Sequence, residues 1–286
     1  MKQHDSIVRA ASAGVLADMS LLRLLRNHWP EYLIEGWALG SFMISAGFVA
    51  TALGSPRSAI HLAVDDPMLR NVIAGLAMGV TAIALIYSPW GKRSGAHMNP
   101  AVTLTFLRLG KTNSWDALFY IVAQTLGGTA GVLIVAALLG HDFTDAPVSY
   151  AATVPGAAGP WVAFAAELSI SAVLMFVILS LSGTERFARF TGVAAGLLVA
   201  LYISFESPFS GMSMNPARTF ASAAPGMLWD HYWIYLLAPP VGMLIGAQAF
   251  LGLRGLQRLP CAKLLHPENV RCIHCGYEPT AGGPAP

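Results

Sequence analysis

Apolar residues fall in six long blocks separated by shorter polar stretches. The blocks lie near 31–53, 71–90, 115–139, 160–182, 190–207 and 231–253. Each approaches the roughly 20 residues a helix needs to cross a hydrocarbon core about 30 Å thick. The blocks are too long and too unalternating for barrel strands, and helices and closed barrels are the two structures that satisfy every backbone polar group in lipid. The pattern therefore predicts an all-α membrane protein with six transmembrane helices. Block 71–90 holds no charged residue, block 160–182 holds only Glu167, and Glu35 stands near the start of the first block.

Five blocks carry a Gly-x-x-x-Gly pair: Gly36/Gly40, Gly75/Gly79, Gly127/Gly131, Gly192/Gly196 and Gly242/Gly246. Small residues one helical turn apart let helix backbones approach closely in a bilayer. Five pairs in five spans predict a tight bundle.

Composition supports this class. Only 11% of the 286 residues are charged and 55% are hydrophobic, against about a quarter charged in soluble domains. A net charge of +2 with no basic run gives no footing for a nucleic-acid partner. The three cysteines, Cys261, Cys272 and Cys275, all lie near the C-terminus. That is no secreted disulfide framework. Asp5, Asp18, Arg23 and Arg26 interrupt the first stretch, which does not read as a signal peptide. Basic residues alternate between connections. Lys2, Arg9, Arg23 and Arg26 precede the first block, and Lys92, Arg93, Arg108 and Lys111 follow the second. Arg186 and Arg189 follow the fourth, and Arg254, Arg258, Lys263 and Arg271 follow the sixth. The connection 140–159 has none, and 208–230 has only Arg218. By the positive-inside rule, both termini are expected in the cytoplasm of a cell-membrane (plasma or inner) protein. The division expected is a tail over 1–28, a channel domain over 29–255 and a tail over 256–286.

An internal repeat sharpens the picture. Ser94–Thr103 and Ser210–Thr219 align without a gap, with seven of ten positions identical. Glu35 and Glu167 form a looser correspondence between the first and fourth blocks. Each half, about 31–139 and 160–253, would then be three spans plus one short segment. An odd number of spans inverts the second half and places a site near the midplane, between the repeats. The repeated stretches are too short to cross and read as two re-entrant half-helices, tolerated where backbone lines a cavity or is buried in protein. Asn is a good N-cap and Pro fits the first helical position, so Asn99-Pro100 and Asn215-Pro216 each start a helix. Ala101 and Ala217 are small enough for the two ends to meet. Two positive helix ends facing one pore oppose cations and protons. If their carbonyl oxygens cap the helices, the Asn amides remain to hydrogen-bond a passing solute.

The pair His97-Met98-Asn99-Pro100-Ala101-Val102-Thr103 and Asn215-Pro216-Ala217-Arg218-Thr219 resembles the twin Asn-Pro-Ala boxes of the aquaporin and glycerol-facilitator family, over roughly residues 31–255. The resemblance implies a passive pore for water and small uncharged solutes, excluding protons and ions, and a homotetramer in the lipid bilayer. No chemistry and no cofactor are required. Arg218 matches the family's filter arginine. Counting from the boxes as in the family places the remaining filter positions at Gly79, Ile203 and Met212; a one-residue slip in the count brings in Met78 or Tyr202 instead. The counted positions match neither the water-selective nor the glycerol-selective pattern. Gly79 would widen the filter, or else it serves only helix packing with Gly75. Ile203 makes the filter more apolar, and Met212 is flexible enough to fill part of the gap. Thr219, Ala223 and Tyr235 lean toward water channels, whereas Leu236 departs from them. Glycerol is therefore expected to pass alongside water. Glu35 and Glu167 match carboxylates that support the re-entrant backbones, and His97 is either a pore-side residue or a packed one.

Two regions fall outside the resemblance. Val8, Ala11, Val15, Met19 and Leu22 have helical spacing, which fits either an interfacial amphipathic helix or a disordered tail. Cys261, His266, Cys272 and Cys275 form Cys-x4-His-x5-Cys-x2-Cys. Three Cys and one His could close a zinc tetrahedron, with His274 as an alternative ligand; otherwise they are free thiols in a mobile tail. Residues 279–286 are rich in Gly and Pro and are expected to be disordered. A secondary transporter would need coupling-ion ligands in the spans, an enzyme a catalytic cluster in the bundle. The blocks contain neither. A metal or redox sensor would account for the tail and leave the twin boxes unexplained.

Overall fold

The computed structural model describes residues 21–255, 259, 261–267 and 269–279. Among these, eight helices build the bundle: α1 (Leu21–Gly54), α2 (Pro67–Tyr87), α3 (Pro100–Arg108), α4 (Ser114–Leu139), α5 (Pro160–Ser182), α6 (Thr191–Phe205), α7 (Pro216–Gly226) and α8 (Tyr232–Arg254). Several short helical turns connect them, and no strand occurs among the described residues. The helices α1, α2, α4, α5 and α8 are long and apolar enough to cross a membrane.

Two differences from the sequence expectation stand out. The first helix begins at Leu21, ten residues before the apolar block, so the end of the expected N-terminal tail is helix. Most of the expected amphipathic stretch, and all of the expected segment 279–286 beyond its first residue, lie outside the described residues. The fifth block is a fifteen-residue helix, about 22 Å long at 1.5 Å per residue. It stops at Phe205, and a separate turn with an early proline, Ser207–Ser210, follows. Pro208 has no N–H to continue the ladder.

The helices pair as α1 with α4, α5 with α8 and α2 with α6. The glycine pairs make these seams. A Cβ on Gly36 would lie 2.8 Å from the Ala123 carbonyl oxygen, and one on Gly40 2.8 Å from that of Gly127. Gly242 and Gly246 meet the backbone of Leu168 and Ala172 in the same way. The short helices α3 and α7 span about 14 and 17 Å by the same rise, too little to cross. Each packs on a span of the opposite half, α3 on α8 and α7 on α4. Several tryptophans are exposed: Trp29 lies in the third turn of α1, Trp90 in the short helix Pro89–Ser94, and Trp115 and Trp161 in the first turns of α4 and α5. Amphipathic rings of this kind favour the membrane interface.

Candidate pore

The two re-entrant loops are built alike. Gly95, Ala96 and Met98 have positive φ, as do Gly211, Met212 and Met214. Non-glycine residues adopt that conformation at a cost, so it must be held from outside. A buried carboxylate does this in each half. Glu35 Oε1 accepts from Ser94 Oγ at 2.7 Å and His97 N at 3.0 Å, while Oε2 accepts from Met98 N at 2.6 Å. Glu167 Oε1 accepts from Ser210 Oγ at 2.8 Å and Ser213 N at 2.6 Å, and Oε2 from Met214 N at 2.7 Å. A tyrosine ties each loop once more: Tyr120 donates to the Ser94 carbonyl at 2.7 Å and Tyr235 to the Ser210 carbonyl at 2.5 Å. The two serines were legible as identical positions of the repeat. The tyrosines, on separate spans, carried no such signal.

Each loop ends in a capped helix. Asn99 Oδ1 accepts from Ala101 N at 2.8 Å, and Asn215 Oδ1 accepts from Ala217 N at 3.1 Å and Arg218 N at 3.2 Å. Both asparagines have extended backbone, and Pro100 and Pro216 follow as first helical residues. The amides do not remain wholly free. Asn99 Nδ2 donates to the Met214 carbonyl at 2.6 Å, and Asn215 Nδ2 donates to the Met98 carbonyl at 2.7 Å. An amide carries two donors, so one N–H of each is left for the pore.

A cavity of about 240 Å³ runs past both asparagines. Its wall includes Arg218, Ile203, Met212, Ser207 and Ala151, and also Ala82, Ile86, Ala96 and His97. Arg218 is half-buried, and its guanidinium donates to Thr153 Oγ1. Gly79 is not on this wall. Its Cβ position would lie 2.6 Å from the Gly196 carbonyl oxygen, in the seam between α2 and α6. Met78 faces the cavity instead, in a stripe with Ala74, Ala82 and Ile86. Counting residues back from a box assumes a fixed connection between α2 and the box. The short helix Pro89–Ser94 lies in between, and one residue rotates a helix face by about 100°. The widening expected from Gly79 is thereby removed, because a methionine occupies that wall.

His97 is buried and also lines the cavity. Its ring nitrogens contact Thr103 Oγ1 at 3.0 Å and the Ala262 carbonyl at 2.7 Å. The second contact comes from the C-terminal tail. That tail packs against the bundle: Cys261, Ala262, Lys263, Leu264 and Cys272 are buried, and Leu264 lines the cavity. The sulfur and nitrogen ligand atoms of Cys261, His266, Cys272 and Cys275 all lie within 4.8 Å of one another. His274, the alternative ligand, instead stacks on His97 with ring centres 5.5 Å apart. The Cys272 thiol is held down to about 4, first by the hydrogen bond from Cys261 and then by the Lys263 ammonium. Cys261 is correspondingly pushed up by that hydrogen bond and by burial.

Comparisons with known proteins agree with this architecture. The profile of the major intrinsic protein family matches residues 32–250. Aquaporin NIP1-4 of Oryza sativa is 36% identical over 211 residues, covering 73% of this chain and 75% of its own. The glycerol uptake facilitator protein-like 6 of Lactiplantibacillus plantarum is 33% identical over 225 residues, 76% of this chain and 94% of its own. The X-ray structure of the aquaglyceroporin from Plasmodium falciparum superposes with a TM-score of 0.62 at 23% identity, covering 78% of this chain and 95% of that one; it supports the fold. With a family match across residues 32–250 and the helix pairs in place, the chain belongs to the major intrinsic protein family and is a multi-pass membrane channel, not an enzyme.

Proposed function

We propose that the chain is a passive pore for water and small neutral solutes such as glycerol, closed to protons and ions. The observation that carries this reading is the convergence of Asn99, Asn215 and Arg218 on one cavity. Two helix N-termini meet there, each equivalent to about half a positive charge, and a guanidinium adds a full one. A cation entering would lose its hydration against positive potential. A neutral solute instead receives the spare Asn N–H donors and those of Arg218. The lining side chains of Met78, Ile203 and Met212 offer no hydrogen-bond donors. They suit a solute with an apolar side, and the thioether chains are flexible enough to yield to it.

Tetrameric assembly with one pore per subunit rests on the family resemblance. Cytoplasmic termini in the plasma or inner membrane rest on the distribution of basic residues. A structural zinc ion in the C-terminal Cys/His cluster rests on its donor set.

The test is stopped-flow light scattering of liposomes carrying the full chain. Fast shrinkage under an impermeant osmolyte, followed by re-swelling under glycerol, is the expected result. Shrinkage without re-swelling would limit the pore to water. Equal permeability of Arg218→Val and the parent to both water and protons would remove Arg218 from the filter.

A further inference from the structure

The C-terminal tail does more than cover the bundle. Leu264 reaches the cavity wall, and its N–H donates to the Gly95 carbonyl at 3.2 Å. The Ala262 carbonyl contacts the ring of His97, the residue two before Asn99. Lys263 Nζ donates to the Lys92 carbonyl at 3.2 Å and to the Arg271 carbonyl at 3.0 Å. Lys111 Nζ donates to the Leu259 carbonyl at 2.6 Å. Arg271 lies 3.9 Å from the buried Glu31 carboxylate of α1. The tail is thus fastened around one pore mouth, with an apolar side chain in it.

The same segment holds the cysteine cluster. Cys261 Sγ and Cys272 Sγ are 3.2 Å apart, and His266 Nε2 and Cys275 Sγ are 3.3 Å apart. Zn–S bonds of about 2.3 Å set tetrahedral edges of about 3.8 Å, so small shifts would seat an ion. The Cys272-x-x-Cys275 turn continues into Gly276, which has positive φ, and the Gly276 N–H donates to the Cys272 carbonyl at 3.0 Å. Three cysteine sulfurs and an imidazole are a donor set that selects a soft, tetrahedral ion of the zinc class. Cys261 and His266 bracket Leu264, so an ion on them would fix both ends of the loop that presents it.

We propose that Cys261, His266, Cys272 and Cys275 bind a zinc-class ion, and that the bound ion holds Leu264 in the pore mouth, making the tail a metal-dependent plug. The gating half rests on the pore reading above; the metal half does not. Removing the ion frees the 261–267 loop and opens that mouth. The polar contacts of that loop to Lys92, Gly95 and His97 are single hydrogen bonds that water can replace.

The experiment has two arms on the full-length protein. Elemental mass spectrometry after purification should find about one zinc per chain, lost in Cys272→Ser/Cys275→Ser. Stopped-flow shrinkage of proteoliposomes should then rise several-fold on adding a membrane-permeant zinc chelator and fall again on adding zinc chloride. Leu264→Ala should retain zinc yet start at the higher rate, with no further response to chelator. A chain without zinc, or one whose intact mass is lowered by a Cys261–Cys272 disulfide, would overturn the metal site. Bound zinc with shrinkage indifferent both to chelator and to Leu264→Ala would overturn the plug. Zinc binding with no water permeability in any variant would overturn the pore reading and the plug with it, leaving the metal site standing.

Discussion

Asn99 Nδ2 donates to the Met214 carbonyl across the middle of the bundle at 2.6 Å. The bond joins the N-cap of one half-helix to the loop preceding the other, and its counterpart runs from Asn215 to Met98. Each asparagine therefore does three things: it caps its own helix, it latches the opposite loop, and it keeps one donor for the pore. Asn99→Ala removes cap and latch together. A lost N-cap costs about 1 kcal/mol, and the abandoned carbonyl of Met214 adds about 1–3 kcal/mol. Thermal unfolding in detergent should show a clear drop for Asn99→Ala, and a similar one for Asn215→Ala. An unchanged midpoint would mean the latch is not formed.

Glu35 and Glu167 are struts, each holding a loop in left-handed backbone. In Glu35→Gln one acceptor oxygen becomes an NH2 group facing a backbone N–H or the amide of Gln124, which donates to Oε2 at 2.8 Å. Hydrogen bonds to charged groups are worth about 1.5–3 kcal/mol each, and at least one is lost. The expected result is a lower yield of monodisperse protein by size-exclusion chromatography for both Glu→Gln variants. A normal yield combined with altered ion coupling would instead support a transporter's proton relay.

Met78 and Gly79 separate the pore wall from the helix seam within one peptide unit. Met78→Ala should raise glycerol permeability with folding intact, because the side chain borders the cavity. Gly79→Ala should lower folded yield, since its Cβ would press on the Gly196 carbonyl and on Ala200. Stopped-flow rates normalised to reconstituted protein separate the two effects. A selectivity change from Gly79→Ala alone would return that position to the filter.

Among the helix glycines, contact predicts tolerance. Gly246→Ala places a methyl against the Ala172 backbone, which cannot yield, whereas a Cβ at Gly252 meets nothing within 4 Å. Overpacking of this kind costs about 1–3 kcal/mol. The first variant should unfold at lower temperature in detergent and the second should match the parent.

The sequence by itself determined the helical membrane class, the extent of most spans, the inverted repeat and the two helix starts at Asn99 and Asn215. These are local matters. A run of apolar residues, a cap followed by a proline, or a glycine pair one turn apart acts through neighbours in the chain. The block at 160–182 coincides with α5 for that reason. Only the tertiary structure decided which residue of α2 faces the pore, because the rotation of a helix follows from its packing partner and its connection, not from a count of residues. Only the fold likewise brought Met214 to Asn99, Tyr120 to Ser94 and Leu264 to the mouth, each more than 20 positions away in sequence. Such contacts depend on where the chain has already been placed by the seams of the bundle, and no local pattern encodes them.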